Sequence, residues 1–183
     1  MKKINSLVER IGNTYPLFHE PELVASPRMA AVLVMLFPVD DAIHIFLIKR
    51  SEKLRYHPGE ISFPGGVYEK EDGTLLATSL RETQEEVNMA IVESDVFSRL
   101  PNVETLTGFT VTPFVAMLDT LPPYDRSPDE VHAVLEAPLE PLLSTQQRDT
   151  RHEASMDMVI FQHGPHMIWG ATARILKQIK MIC

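Results

Sequence analysis

Three glutamates in one predicted helix are the residues of this sequence most able to do chemistry. Glu82, Glu85 and Glu86 stand at positions i, i+3 and i+4, so their carboxylates lie one helical turn apart. Like charges at these spacings destabilise a helix by about 0.2–0.5 kcal/mol per pair. A hard divalent cation would turn the repulsion into coordination, since Mg²⁺ prefers carboxylate oxygens and substrate phosphates. The glutamates alone leave two interpretations open, a metal site and a solvated acidic helix face.

A turn that precedes this helix favours the metal site. Residues 60–63 predict a short strand, and Pro64-Gly65-Gly66 ends it. Two adjacent glycines let the backbone approach a ligand more closely than residues with a Cβ would allow. The helix is predicted to begin after Thr74, a suitable N-cap residue. Its buried side is predicted from the 3.6-residue spacing of Leu75, Leu76, Ser79, Leu80, Thr83 and Val87.

The turn and the helix together resemble the Nudix box, G-x5-E-x7-R-E-U-x-E-E-x-G-U, where U is an aliphatic residue. Gly66 matches the opening glycine, and residues 81–86 match the R-E-U-x-E-E core except at Thr83. One extra residue separates Gly66 from the arginine, and Asp72 stands where the first glutamate is expected. Asn88 replaces the last glycine, which is a mild change because Asn tolerates a left-handed helix cap. The role of the leading acid is therefore open.

A second signature lies just upstream of the box. Nudix enzymes that cleave coenzyme A carry the motif L-L-T-x-R-S-x3-R-x3-G-x3-F-P-G-G. Only Phe46 and Ile48 depart from it, and both keep the apolar character of a strand. Three further stretches resemble the same subfamily, residues 111–115, 128–131 and 168–173. The matching residues stand at the required intervals: Leu47, Arg50, Ser51, Arg55, Gly59, Phe63, Pro64, Gly65 and Gly66.

The resemblance implies an α/β fold, the Nudix α/β/α sandwich with a mixed β-sheet. It also implies metal-dependent hydrolysis of the diphosphate of coenzyme A or its derivatives to 3′-phospho-AMP and (acyl-)4′-phosphopantetheine. Mg²⁺ or Mn²⁺ would be held by Glu82, Glu85 and Glu86, and Arg81 would orient one of these carboxylates through paired hydrogen bonds. Two alternatives stay open: a Nudix hydrolase of another nucleoside diphosphate derivative such as ADP-ribose or a dinucleotide, and a non-catalytic nucleotide sensor.

Several residues are candidates for contact with the substrate. Arg50 and Arg55 are predicted phosphate ligands, because a guanidinium group binds phosphate through two parallel hydrogen bonds. Without the motif they would be interpreted as surface arginines at a strand end. His57 is predicted to contact the substrate, and the backbone of Gly65 and Gly66 is predicted to contribute to the site. The general base is open among the helix glutamates and three loop acids, Glu130, Glu136 and Glu153.

The composition sets limits on the class of protein. A chain of 183 residues suits one compact domain, 1–183, with residues 1–29 as an extension that begins with a helix. A formal charge of −8 argues against a nucleic-acid-binding surface. No apolar run approaches the roughly 18 residues of a membrane span. The single cysteine, Cys183, excludes an intrachain disulfide, and we expect a cytoplasmic protein. The sequence leaves the oligomeric state open, with a homodimer among the alternatives.

The remaining elements are predicted from periodicity and from breaker residues. A helix is expected from residue 2 to residue 11, ended by Gly12. Pro113 is expected to interrupt the strand region 105–117, and residues 94–100 are expected to form a short helix or turn. The other predicted elements are a buried strand at 30–37, its hairpin partner at 43–49, a strand at 130–136, a helical turn at 138–143, a hairpin at 156–169 and a helix at 171–182.

Overall fold

The computed structural model describes residues 2–17, 28–151 and 158–183. The helices are α1 (Lys2–Thr14), α2 (Leu75–Val87), α3 (Leu139–Ser144) and α4 (Gly170–Ile182). The strands are β1 (Met29–Val39), β2 (Ala42–Arg50), β3 (Ile61–Ser62), β4 (Gly65–Val67), β5 (Val96–Arg99), β6 (Val103–Glu104), β7 (Thr110–Met117), β8 (Val131–Pro138), β9 (Gln147–Arg148), β10 (Val159–His163) and β11 (His166–Ile168).

The main sheet is mixed and is built around β1. Its strand order is β3-β2-β1-β7-β5, with β4 and β6 added to β1 and β7, and β8 added to β2. β1 and β7 run parallel along their length, whereas β1 and β2 form an antiparallel hairpin. Asp40 takes a positive φ of 51° at the hairpin turn, a conformation that Asp tolerates better than most residues. The predicted buried strand and its hairpin partner are confirmed.

The two faces of this sheet are covered by different helices. Alternate residues of β1 point to opposite faces, so Leu33 and Met35 join one apolar cluster while Val34 and Leu36 join the other. Helix α2 covers the first face through Leu75 and Val87. Helices α1, α3 and α4 cover the second face and supply Leu7, Ile11, Leu139, Leu142, Leu143, Ile175, Leu176 and Ile179. The predicted α/β/α sandwich is confirmed.

Strands β1 and β2 separate beyond their hairpin turn. The short strands β3 and β4, the second of which contains Gly65 and Gly66, pair with their separated ends. β1 pairs with β2 only from Leu36 to Val39, and its first half pairs with β4 on the same side. The end of β2 pairs with β3, where Ile48 lies opposite Ser62. Gly65 and Gly66 therefore lie inside the sheet as part of a strand. Their prediction as a turn that ends a strand is corrected, since the backbone crosses from β2 to β1 at Pro64.

Three other predictions need correction. Gly12 does not end α1, which continues for two more residues to Thr14. Of the short helix or turn predicted at 94–100, a 3-10 helix forms at Glu93–Asp95, whereas residues 96–99 form β5, because β7 offers them a pairing edge that periodicity alone does not reveal. β7 runs through Pro113 without a break. Pro113 lies where the pairing of β7 passes from β5 to β6, and the Leu100 N–H donates to its carbonyl at 2.9 Å.

The C-terminal part of the chain forms a second, smaller sheet. β10 pairs with β9 and β11, and the predicted hairpin around Gly164 is confirmed. Helix α4 packs on β10, and α1 packs on α4, so both terminal helices share one core with the main sheet. The assignment of residues 1–183 to a single domain stays a prediction. None of the helices in the described ranges has the length and apolar character that would let it cross a membrane.

Candidate functional site

Helix α2 is held at both ends as its sequence predicts. The Thr74 hydroxyl accepts a hydrogen bond from the Ala77 N–H at 3.0 Å. Asn88 ends the helix in the left-handed conformation, with φ 50° and ψ 38°, as expected for the residue that replaces the final glycine of the pattern. Thr83, which stands at an aliphatic position of the pattern, is buried and donates its hydroxyl hydrogen to the Ser79 carbonyl at 2.7 Å. The departures at Thr83 and Asn88 thus leave the helix intact.

Glu86 lies on the buried side of α2, where its carboxylate joins the two motifs of the sequence. Its side chain is only 2% exposed. One carboxylate oxygen accepts from the Gly65 N–H at 3.0 Å, and the other accepts from the Arg50 guanidinium at 3.2 Å. Burial raises the pKa of Glu86 to about 8, against the opposing effects of the Gly65 N–H and of Arg50. The buried stripe predicted for α2 did not include this residue.

Arg50 reaches Glu86 from the end of β2. Its side chain is about three-quarters buried, and its Nε is buried without a hydrogen-bond partner among the residues that the structure describes. The structure therefore places Arg50 against a carboxylate, and its predicted role as a phosphate ligand stays a prediction. No feature of the sequence pairs Arg50 with Glu86, because the two residues are 36 positions apart.

Glu82 faces the same Gly-Gly segment one turn earlier on the helix. Its carboxylate occupies the space that a Cβ on Gly66 would fill, so a side chain at that position would displace the Glu82 carboxylate. Burial raises the pKa of Glu82, and the Arg81 guanidinium, at 3.0 Å from the carboxylate, opposes the shift. Glu82 and Glu86 thus lie against two adjacent glycines, and the charge of Glu82 adds to the rise in the pKa of Glu86.

Arg81 ties the helix to the loop before it. Its Nε and one terminal nitrogen donate to the two oxygens of Asp72 at 2.7 and 3.1 Å, a bidentate pair. Its other terminal nitrogen donates to Glu82 at 3.0 Å and to Glu85 at 2.9 Å. The paired hydrogen bonds of Arg81 thus go to Asp72 and not to a helix glutamate, and its predicted role in orienting a helix carboxylate stays a prediction. Asp72 stands where the pattern expects its first glutamate, and its role, which the sequence left open, is to bind Arg81 through this bidentate pair.

Asp72 is itself held by three kinds of donor. The Glu69 N–H donates to it at 3.0 Å and the Thr78 hydroxyl at 2.7 Å, in addition to Arg81. Burial alone would raise the pKa of Asp72, but the hydrogen bonds from Arg81, Glu69 and Thr78 outweigh it, and the pKa is lowered from 3.8. The ionised form of Asp72 therefore stabilises the fold.

We expect Asp72→Asn to lower the free energy of unfolding by about 2 kcal/mol at pH 7, since a charged hydrogen-bond acceptor is lost. The pKa of Asp72 is lower in the folded state than its unfolded value of 3.8, so its carboxylate stabilises the folded protein in full at pH values above 3.8. The stabilisation is lost as the pH falls through the lowered value. Urea unfolding of the wild-type protein and of Asp72→Asn should be measured between pH 7 and pH 3. The difference between their free energies of unfolding should shrink below pH 4. A difference that stays constant over this range would contradict the assignment.

Glu85 is less enclosed than the other two glutamates. Its side chain is 51% exposed and its carboxylate is turned toward Arg81. The sequence places all three glutamates together, whereas the structure directs Glu82 and Glu86 to the Gly-Gly segment and Glu85 to the arginine. Within the described ranges, no three carboxylate, imidazole or thiol groups converge closely enough to hold a metal ion by themselves.

The donor set nevertheless suits a divalent cation that shares its coordination with a substrate. Mg²⁺ is commonly bound by one or two carboxylates together with substrate phosphates, not by a complete protein cage. Glu82 and Glu86 supply two carboxylates next to a backbone that has no Cβ at Gly66. Burial raises the pKa of both carboxylates, and a bound cation would favour their ionised forms. The residues present therefore fit Mg²⁺ or Mn²⁺.

The loop from residue 121 to residue 130 carries a fourth carboxylate, that of Glu130, close to Glu82 and Glu86. The Ser127 N–H donates to the Glu86 carbonyl at 2.8 Å, and the Ser51 N–H donates to the Glu130 carbonyl at 2.8 Å. The Glu130 carboxylate is close enough to raise the pKa of both Glu82 and Glu86. Among the other loop acids considered as a base, Glu136 accepts from the Tyr124 hydroxyl at 2.9 Å, and Glu153 lies outside the described residues.

The loop between β2 and β3 carries the other candidates for substrate binding. It is closed at its base by the Arg50 N–H, which donates to the Glu60 carbonyl at 2.9 Å. Arg55 is exposed, and its guanidinium carbon lies 5.3 Å from the centre of the Tyr56 ring. His57 takes a positive φ of 58°, and its Nδ1 lies 3.0 Å from a Glu60 carboxylate oxygen. The roles predicted for Arg55 and His57 stay predictions.

Comparison with known families identifies the arrangement of helix, Gly-Gly segment and sheet. The model of the NUDIX domain matches residues 27–162, well over half of the chain. This chain belongs to the Nudix family. It is a Nudix hydrolase, an enzyme that acts on the diphosphate bond of nucleoside diphosphate derivatives, and Nudix enzymes generally use divalent ions such as Mg²⁺ or Mn²⁺.

Bacterial relatives resemble this Nudix hydrolase over most of its length. A protein of Cronobacter sakazakii described as "Uncharacterized Nudix hydrolase NudL" is 37% identical over 162 residues, which cover 84% of this chain and 82% of the relative. A protein with the same description from Enterobacter sp. (strain 638) is 34% identical over 166 residues, covering 86% and 84%.

Solved structures resemble the fold at lower sequence identity. A MutT/nudix family protein from Enterococcus faecalis superposes with a TM-score of 0.61 at 16% identity, covering 88% of this chain and 63% of the other. The NUDIX domain of Shewanella oneidensis NrtR, solved in complex with ADP ribose, gives a TM-score of 0.60 at 15% identity, with 89% and 92% covered. At these identities the likeness shows the fold alone.

Proposed function

We propose that this Nudix hydrolase cuts the diphosphate of coenzyme A or of its derivatives, with 3′-phospho-AMP and (acyl-)4′-phosphopantetheine as products. One observation carries the proposal. Glu86 of the Nudix helix is bonded to both ends of the segment that resembles the coenzyme A signature, to Arg50 at its start and to Gly65 at its end. Two residues of that signature therefore contact one of the carboxylates that would hold the metal.

In the proposed site, Glu82 and Glu86 are the primary ligands of Mg²⁺ or Mn²⁺, and Glu85 completes the acidic set from the rim. When bound, the metal neutralises phosphate oxygens and lowers the pKa of a bound water. Arg81 fixes Glu82 through the hydrogen bond at 3.0 Å, and Arg50 fixes Glu86 from inside the protein at 3.2 Å. Both arginines thus preserve the carboxylate geometry that the reaction requires.

Glu130 is the proposed general base. It is the loop carboxylate that acts electrostatically on both Glu82 and Glu86, and its backbone is fixed to Ser51. A carboxylate at this place can accept the proton of a water molecule that attacks the diphosphate. Glu136 is a weaker candidate because its carboxylate is already bound to Tyr124.

Hydrolysis of ADP-ribose is the second candidate function. It is favoured by the likeness of the fold to a NUDIX domain that was solved with ADP ribose. Both substrates contain an adenosine diphosphate, but only coenzyme A carries a 3′-phosphate and a pantetheine arm. The two candidates therefore differ in what the protein must recognise beyond the diphosphate.

A panel of substrates tests the choice between the candidates. We expect kcat/KM for coenzyme A with Mg²⁺ to exceed the value for ADP-ribose and for a diadenosine polyphosphate by at least about tenfold, which corresponds to about 1.4 kcal/mol in the transition state. Free, acylated and oxidised coenzyme A should be compared in the same series. A higher kcat/KM for ADP-ribose would retain the Nudix chemistry and reject the coenzyme A assignment.

A further inference from the structure

The hairpin of β10 and β11 places two histidines side by side. His163 is the last residue of β10 and His166 is the first of β11, and they lie opposite each other in the strand register. Opposite residues of an antiparallel pair point to the same face, with Cβ atoms about 4.5–5.5 Å apart. Gly164 turns the chain between them with a φ of 54°, and the Gln162 side chain donates to its carbonyl at 2.8 Å. The hairpin therefore holds two imidazoles together, which we call the His163–His166 pair.

The pair stands at the edge of a buried apolar surface. Along β10, Val159 and Phe161 are buried, and His163 continues the same face because alternate residues of a strand point the same way. The neighbouring pair on this face, Phe161 with Ile168, is fully buried. His163 and His166 are themselves half-buried. The His163–His166 pair thus lies where the apolar face of the hairpin meets solvent.

Neither imidazole of the pair is bound to another side chain. In the part of the chain that the structure describes, neither takes part in a side-chain hydrogen bond or an ion pair, whereas the Nδ1 of His57 lies 3.0 Å from a Glu60 carboxylate oxygen. Burial and, after it, the charge of His166 lower the pKa of His163 below its usual value. The His163 imidazole is therefore neutral at pH 7 and above, and it keeps a nitrogen lone pair that can bind a cation.

We propose that the His163–His166 pair binds a divalent transition cation such as Zn²⁺, Ni²⁺ or Cu²⁺. Neutral imidazole suits these cations, whereas Mg²⁺ prefers the oxygen ligands that Glu82 and Glu86 offer. Zn–N bonds of about 2.0–2.1 Å bring two nitrogens to about 3.3 Å from each other, a separation that opposite imidazoles of a hairpin can reach. The proposal concerns a different sheet from the one that contains Gly65, and it does not depend on the substrate of the enzyme.

Water completes the coordination in the proposed site. Among the residues that the structure describes, no third imidazole, thiol or carboxylate joins the two histidines. A structural zinc site is closed by four protein ligands, whereas a site with fewer keeps open positions. The His163–His166 pair is therefore an open site, from which the cation exchanges and at which a further ligand can bind.

Titration of the full chain with Zn²⁺, followed through the imidazole NMR signals, tests the pair residue by residue and requires no turnover. Mg²⁺ is present in excess throughout, so that the carboxylates of α2 are occupied. We expect the signals of His163 and His166 to shift together and to saturate with one ion. His163→Asn or His166→Asn should weaken the binding of Zn²⁺ at the remaining imidazole by at least about tenfold, since even the loss of a group that only supports a metal ligand costs 10–100-fold.

His132→Asn is the matched control, because His132 is an exposed histidine on another strand, β8. This variant should leave the shifts of His163 and His166 unchanged. No shift of either signal with millimolar Zn²⁺ would overturn the proposal, as would a shift of one signal without the other. Equal Zn²⁺ affinity in the wild-type protein and in His163→Asn would overturn it as well. A shift caused by Mg²⁺ alone would contradict the preference for a transition cation.

Discussion

Glu86→Gln is expected to lower kcat for diphosphate hydrolysis by about a thousandfold, which corresponds to about 4 kcal/mol of transition-state stabilisation by the metal. The amide has nearly the same shape as the carboxylate, although its NH2 group replaces one of the two oxygens that accept from Gly65 and Arg50. It removes the charge that a divalent cation needs. Initial rates with saturating substrate and Mg²⁺ measure the loss.

The fold of the Glu86→Gln variant is expected to persist. A neutral amide avoids the free-energy cost of a carboxylate whose burial raises its pKa to about 8. Glu71→Gln provides the matched control, because Glu71 is an exposed carboxylate in the loop before the same helix. Retention of more than a tenth of wild-type kcat by Glu86→Gln, with an unchanged circular dichroism spectrum, would contradict the role of Glu86 as a metal ligand.

Gly65→Ala is expected to lower the free energy of unfolding by about 3 kcal/mol. Gly65 has a φ of 149°, and a Cβ would overlap the Ala31 carbonyl oxygen and the backbone of Val32 on the neighbouring strand. These backbone atoms cannot move without breaking the pairing of β4 with β1. The Gly65 N–H would be displaced from Glu86 at the same time, so activity should fall as well.

Gly73→Ala separates the packing effect from the backbone strain. Gly73 also has a positive φ, 73°, but a Cβ there would meet no atom within 4 Å. Its loss of stability should be about 1 kcal/mol, from strain alone. Urea unfolding should be measured in the presence of a chelator, since bound metal would shift the stability of each variant differently. Equal losses for the two variants would contradict the account of Gly65.

Local sequence patterns determine the parts of the site that were predicted correctly. Thr74 and Asn88 mark the ends of α2 because a side-chain cap and a left-handed residue are local requirements of any helix. The apolar run of β1 needs both faces covered, so its burial also follows from its own residues. The fold class followed from these elements together with the resemblance to the Nudix box.

Contacts between distant segments could not be predicted in the same way. Glu86 is buried only because Gly65 and Arg50 reach it from β4 and β2, 21 and 36 residues away. Residues 96–99 become a strand because β7 provides an edge. The Asp72–Arg81 pair had a local signal, an acid at the expected position of the pattern, but the extra residue before Arg81 obscured it.

Product identification with coenzyme A tests the central claim most directly. Purified protein is incubated with coenzyme A and Mg²⁺, and the products are identified by mass, in parallel with Glu86→Gln. The account predicts equal amounts of 3′-phospho-AMP and 4′-phosphopantetheine from wild-type protein, and neither product from Glu86→Gln or in the presence of a chelator. Intact coenzyme A under conditions in which ADP-ribose is cleaved would contradict it.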